Sequence, residues 1–380
     1  MRYHRIWGAV ICVLLATTSL LGRSTPSKFR VAAPQISFAF DSFKALVMQS
    51  TTPTVLFSPV ASYMGLSAIH LGARDTTLEA LESLLKVEQI PPDQYYTSMN
   101  GFHRALMRTR SDGGFNFSNS LWVQQGQGIR PEWATNAKGA FGLDINHTDL
   151  GTDQGIVAIQ RWGGQGGPMS LAEQGSKQGM VLASDVTLRA SLGMEVDTAP
   201  SSKGKFLKKT QVYMYLQGNG FQVVSLPYAG RKLSLILVLP DTTLATFYTR
   251  LNPYSWSRWA LLFSPRLGTL RIPKLSISDV RSGLPIISMR YRNAIRSDKA
   301  NFRGINDQLH LVDILQFIRF SIDEMGPELV AQSPSGPATS VPTLTQRVTQ
   351  PFLLQFNKPF FFAVQDNTTG AILVMGQVIQ

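Results

Sequence analysis

Apolar residues at Ile36, Phe40, Phe43 and Val47 recur at three- and four-residue spacing, which predicts an amphipathic helix near the start of the folded chain. Val55-Leu56-Phe57 is a short apolar run leading into Ser58-Pro59, a capping serine followed by a proline in the first helical turn. The helix it opens is apolar nearly all round, with Tyr63, Met64, Leu66, Ile69 and Leu71, so it reads as buried, and Gly72 closes it. Thr76 with Glu79 predicts a capping box for a third helix carrying Leu78, Leu81, Leu84 and Leu85, ended by Ile90-Pro91-Pro92. Helices follow over 95–110, Pro131–Phe141 and 152–162, with a strand over Phe115–Gln124 between the first two.

Gly163-Gly164-Gln165-Gly166-Gly167-Pro168 ends the helical pattern, and the period changes to that of strands. Strands are expected at 180–192, at 211–216 where Val212, Met214 and Leu216 alternate, at 221–226 and 233–239 around Tyr228-Ala229-Gly230, and at 270–277, 353–364 and 372–379. A helical pair interrupts them at 244–251 and 256–262. Helices first and strands later, without strict alternation, indicate an α+β domain with mixed or antiparallel sheet. The stretch 322–364 stands apart: apolar ends enclose about thirty residues rich in Ser, Pro, Thr and Gln, which predicts an exposed functional loop held between two strands.

Composition supports a globular chain: 380 residues, 44% hydrophobic and 16% charged, enough for a substantial core. Residues 1–22 read as a secretory signal, with Arg2, His4 and Arg5 before the apolar run from Trp7 to Leu15; 23–35 is a short N-terminal segment and 36–380 the folded domain. The expected location is therefore extracellular, with no membrane attachment after signal cleavage. Removal of the signal takes the single cysteine, Cys12, and leaves a formal charge near +10, so disulfide, thiol and zinc-thiolate chemistry have no residues to work with. The acceptor triplets at Asn116, Asn146 and Asn367 are candidate glycosylation sites.

The five histidines (His4, His70, His103, His147 and His310) show no metal or nucleophile spacing; His70 reads as a satisfied core residue on the buried helix. Gly163 to Gly167 lacks the strand and the Lys-Ser/Thr of a phosphate loop, and no elbow serine is present, so neither an enzyme nor a cofactor is expected. Arg104, Arg108 and Arg110 form one basic cluster, and Lys203, Lys205, Lys208 and Lys209 a second. Both are candidate contacts for a sulfated polysaccharide, a better fit than nucleic acid.

Several segments together resemble the serpin superfamily. Thr54-Val55-Leu56-Phe57-Ser58-Pro59, Leu71-Gly72-Ala73-Arg74-Asp75-Thr76, Leu226-Pro227-Tyr228-Ala229-Gly230 and Ala300-Asn301-Phe302-Arg303-Gly304-Ile305 resemble motifs of that family, in the family's order. Phe356-Asn357-Lys358-Pro359-Phe360 and the stretch from Thr369 to Gly376 resemble its closing strands. The resemblance implies three β-sheets, A, B and C, surrounded by eight or nine helices, a monomer, and an exposed reactive loop over 324–352. It also implies that a protease cuts the loop, which then enters the middle of sheet A as a new strand.

This hinge departs from the family's small-residue pattern. Glu324, Gly326, Glu328 and Ala331 fit, whereas Pro327, Leu329 and Val330 oppose entry, and Pro334, Pro337 and Pro342 follow. Counting forward from Glu324 puts the family's cleavage position near Ser340, and counting back from Phe356 puts it near Val348, so the loop is longer than usual. The single basic residue in it makes Arg347-Val348 the candidate bond for a trypsin-like protease. In the sheet-opening region Ser58 is retained, while Ser184 and Gln316 stand where the family usually has Asn and His. The expectation is a weak or non-inhibitory binding or signalling protein; the alternative is a suicide inhibitor of a trypsin-like protease.

Overall fold

The computed structural model describes residues 29–110, 114–164, 171, 177–199, 205–228, 230–287, 289–324 and 350–379. The first half is mostly helical: α1 (Ala32–Gln49), β1 (Val55–Phe57), α2 (Pro59–His70), α3 (Asp75–Leu85), α4 (Pro92–Arg110), β2 (Phe115–Gln124), α5 (Pro131–Phe141), β3 (Leu143–Thr148) and α6 (Asp153–Trp162). Strands then dominate: β4 (Gly179–Ser191), β5 (Glu195–Val196), β6 (Phe206–Gly218), β7 (Phe221–Tyr228) and β8 (Leu233–Pro240). After α7 (Leu244–Arg250) and α8 (Pro253–Leu262) come β9 (Ser264–Pro273), β10 (Leu275–Ser282), α9 (Met289–Arg296) and β11 (His310–Asp323). The last described strands are β12 (Phe352–Gln355), β13 (Phe360–Asp366) and β14 (Ile372–Val378).

Hydrogen bonding groups these strands into two sheets rather than three separate ones. One is five-stranded in the order β10-β11-β4-β2-β3; the other runs β1-β14-β13-β8-β7-β6-β9-β12, with β5 added on β6. The expected sheets B and C are joined because β6 is one continuous strand, pairing with β9 through Phe206–Tyr215 and with β7 through Met214–Gly218. The main core of buried side chains draws on both sheets and on α2, every residue of which is buried. Trp122, Ile156, Ile159 and Phe317 form a second core between α6 and the outer face of the five-stranded sheet.

Local signals and tertiary context disagree in a few places. No capping box starts α3: the helix begins one residue before Thr76, and its N-cap Arg74 makes no side-chain cap. A tie to another part of the chain sets that start instead, with Arg74 N–H donating to Asn301 O at 2.9 Å and Asn301 Nδ2 to Asp75 Oδ2 at 2.7 Å. The helix stops at Leu85, where Lys86 turns left-handed (φ 61°), and Pro92 opens α4. The expected strand at 270–277 is two strands meeting at Lys274, and that at 353–364 breaks over Phe356–Pro359. Neither β3 nor α9 was expected.

Two of the family-like motifs meet back to back. Gly304 N–H donates to Gly72 O at 2.9 Å, and a Cβ on Gly72 would lie 2.2 Å from Ile305 Cγ1. Gly72→Ala is therefore expected to destabilise the fold by about 1–3 kcal/mol, measured as a lower denaturant midpoint with unchanged slope.

Candidate functional site

The centre of the five-stranded sheet is a parallel pair. Strands β4 and β11 are registered from Gly179↔His310 to Ser191↔Asp323. The chain leaving β11 at Asp323 has to reverse to come back along it, so a strand re-entering here would lie antiparallel to both neighbours. In such a position successive N–H groups point alternately to the two neighbours, so every residue is a ladder donor.

Three groups of side chains close this seam. On the core face Gln316 holds β11 to the start of α2: its Oε1 accepts from Ser58 N–H at 3.0 Å, and its Nε2 donates to Ser58 O at 2.8 Å and to Ser62 Oγ at 2.9 Å. Ser58 in turn donates its hydroxyl to Leu373 O at 2.7 Å and caps α2 through Ala61 N–H. Ser184, opposite Gln316 on β4, stays outside this network: among the described residues its buried hydroxyl has no hydrogen-bond partner. Of the three expected sheet-opening residues, the fold thus couples Ser58 with Gln316 and leaves Ser184 unbonded.

The second group, on the outer face, was not anticipated. Arg319 on β11 reaches across the seam, its Nη2 donating to Asp185 Oδ1 at 2.5 Å and its Nε to Thr187 Oγ1 at 3.2 Å, both on β4. Its Nη1 donates to Gly163 O at 2.8 Å, which ties in the C-terminal end of α6. Burial outweighs Arg319 and pushes the Asp185 carboxyl above its usual range. The available signal was a charge inside each of two apolar strands, Arg in Leu315-Gln316-Phe317-Ile318-Arg319-Phe320 and Asp in Leu182-Ala183-Ser184-Asp185-Val186.

The third group sits where the loop departs. Ser191 donates its hydroxyl to Asp323 Oδ1 at 3.0 Å across the end of the seam, and Lys274 Nζ lies 2.9 Å and 2.8 Å from the two Glu324 carboxylate oxygens. The hydrogen bond from Lys274 holds Glu324 below the usual carboxylate range. At the far end of the loop Phe352 stacks on Tyr215 at 4.3 Å, and Arg266 donates to Gln350 O at 3.0 Å. The remaining hinge residues, Gly326, Pro327, Glu328, Leu329, Val330 and Ala331, and the candidate bond Arg347-Val348 lie outside the described residues.

The basic clusters lie on different elements. Arg104 and Arg108 are exposed on α4, and the Arg110 side chain is outside the described residues. Lys203 is also outside them; Lys205 and Lys208 are exposed at the start of β6 and just before it, while Lys209 is half-buried with its Nζ donating to Gly193 O at 2.8 Å. Among the acceptor asparagines, Asn116 is exposed on β2. Asn146 uses its amide on Ser120 Oγ at 2.7 Å, and exposed Asn367 donates to Arg231 O at 2.8 Å.

His70 is buried, as expected of a core residue, but only half satisfied. Its Nδ1 meets Tyr96 Oη at 3.2 Å, whereas Nε2 has no hydrogen bond and lies 3.8 Å from Glu82 Oε1. Desolvation lowers its pKa to about 4 from 6.5. A depressed histidine stabilises the fold above the unfolded pKa and loses that contribution as protons bind the unfolded chain. Stability should therefore fall between about pH 6.5 and pH 4, by up to about 3 kcal/mol before any offset from Glu82. Denaturant titrations at the two pH values check this, with His70→Phe flattening the dependence.

A protein-family model described as Serpin (serine protease inhibitor) matches residues 33–165 and 195–380. The stretch between them, 166–194, holds β4, the strand that carries Ser184, Asp185 and Thr187. Human alpha-1-antichymotrypsin is 23% identical over 94% of this chain and 89% of its own length; bovine corticosteroid-binding globulin is 23% identical over 94% and 92%. Among solved structures, native protease nexin-1 crystallised with heparin superposes with a TM-score of 0.74 at 18% identity, covering 92% of this chain and 99% of that one. With the family model matching most of its length and the seam, the loop anchors and the two-sheet core in place, this chain belongs to the serpin family.

Proposed function

We propose that this serpin is a secreted binding or signalling protein that inhibits proteases weakly or not at all. The observation behind this reading is the length of the seam set against the hinge. Registered pairs run along the whole of β4, from Gly179 to Ser191, so an equal length of chain beyond Glu324 would enter and would carry Pro327, Pro334 and Pro337; Pro342 falls beyond it. Each proline leaves an acceptor on β4 or β11 without its donor, at about 1–3 kcal/mol apiece, or roughly 3–9 kcal/mol for three. Leu329 and Val330, adjacent and therefore on opposite faces, would each need room against the core or under α6.

A second reading, inhibition of a trypsin-like serine protease through Arg347-Val348, is supported by the parallel β4–β11 pair, between which a cut loop would enter. Incubation with trypsin decides between them. The proposed function predicts cleavage without an SDS-resistant covalent complex; a stable complex at near-equimolar stoichiometry would establish the inhibitor. No catalytic role or cofactor is assigned. The basic residues of α4 and β6 support binding of a sulfated polysaccharide, and heparin was present with the similar protease nexin-1. Elution from heparin no later than from a cation exchanger of equal charge would count against that site.

A further inference from the structure

A cleft of about 830 Å³ opens between the C-terminal end of α1, the start of α7 and the strand ends around Pro359 and Ile379. That volume is within the range of small-molecule sites, roughly 300–1,000 Å³. Its walls are mainly apolar, formed by Val47, Met48, Leu244, Ala245, Pro359 and Ile379. Two of these leave unusual apolar surface to solvent: Met48 is 85% exposed and Ile379 40% exposed. The polar groups deeper in the cleft are already matched, since Tyr248 Oη donates to Gln377 Oε1 at 2.8 Å and Gln377 Nε2 to Pro53 O at 2.7 Å. A ligand entering here meets carbon on most sides.

The mouth carries charge of one dominant sign. Lys44 and Lys358 both border the cleft, against one carboxylate, Asp241. The acid nearest Lys44 along α1, Asp41, pairs instead with Lys86 at 3.1 Å. Neither Lys44 nor Lys358 forms an ion pair with another described residue. Apolar walls beneath two ammonium groups that outnumber the single carboxylate suit a molecule with a hydrocarbon or aromatic body and one anionic end.

We propose that this cleft binds an amphipathic organic anion, with its apolar body between α1 and α7 and its carboxylate or sulfonate at Lys44 and Lys358. None of the residues lining the cleft lies on β4 or β11, so the site does not use the seam's own side chains. Decanoate, decanol and decylammonium, titrated calorimetrically into the full secreted protein, provide the test. Decanoate is expected to bind more tightly than decanol, and decylammonium least. The double variant Lys44→Gln/Lys358→Gln is expected to lose about tenfold of the decanoate affinity while its decanol affinity stays unchanged. Ala245→Trp, an exposed position on α7, is expected to fill the cleft and abolish binding of both without shifting the melting temperature. Equal affinity for decanoate and decylammonium, an unaffected double variant, binding that survives Ala245→Trp, or no heat with decanoate up to millimolar concentration would each overturn the assignment.

Discussion

Cleavage of the reactive loop is expected to leave this serpin's melting temperature within a few degrees of the intact protein's. Replacing Pro327, Pro334 and Pro337 together by Thr, Ala and Ala should make the cleaved form melt tens of degrees higher. In the wild type a strand entering between β4 and β11 would bring three positions without an N–H into a central ladder, an expense of roughly 3–9 kcal/mol. The triple variant restores those donors, and a central strand then gains its full set of hydrogen bonds with both neighbours. Differential scanning calorimetry before and after limited trypsin digestion measures the difference. A large rise in the cleaved wild type would show that the seam tolerates proline; no rise in the triple variant would place the obstacle in Leu329, Val330 or the side chains closing the seam.

Arg319→Met is expected to destabilise the protein by about 2–3 kcal/mol, while Arg319→Met/Asp185→Leu should recover most of that loss. The single change leaves Asp185 half-buried beneath α6 without the guanidinium that offsets its desolvation. Because the two side chains are 32% and 28% exposed, solvent reduces the penalty below that of a fully buried orphan charge. The double variant replaces the clamp with apolar contact next to Phe317 and the Trp162 side of α6. It also removes the only side-chain links that Arg319 makes from β11 to β4. Amide exchange in β4 and β11 should therefore quicken relative to global unfolding in the double variant, even at equal stability. Unchanged local exchange would mean that the Arg319–Asp185 pair does not hold the seam.

Short-range signals account for what was legible beforehand. Ser58-Pro59 caps and opens α2, the alternating apolar runs become strands, and the bounds of β2 and α5 agree with the pattern to the residue. These features depend on neighbours within a few positions, where periodicity and capping operate. What was not legible has the opposite cause. The start of α3 follows Asn301 rather than Thr76, and the hydrogen bonding of sheets B and C runs on continuously because β6 pairs with different partners along its length. That the backbone of Ser58 and the amide of Gln316 bond to each other depends on strand register.

By itself the amino-acid sequence determined the family-like motifs, the helix and strand periods, and a proline-bearing segment from Pro327 to Pro342 between two strands. Those are properties of local chemistry: proline lacks its N–H in any fold. The tertiary structure alone decided that β4 and β11 pair in parallel along the whole of β4, that among the described residues the Ser184 hydroxyl has no hydrogen-bond partner, and that Arg319 clamps Asp185, 134 residues away. Such facts need the register between β4 and β11, because only the paired strands bring residues so far apart in the chain onto one face of one sheet.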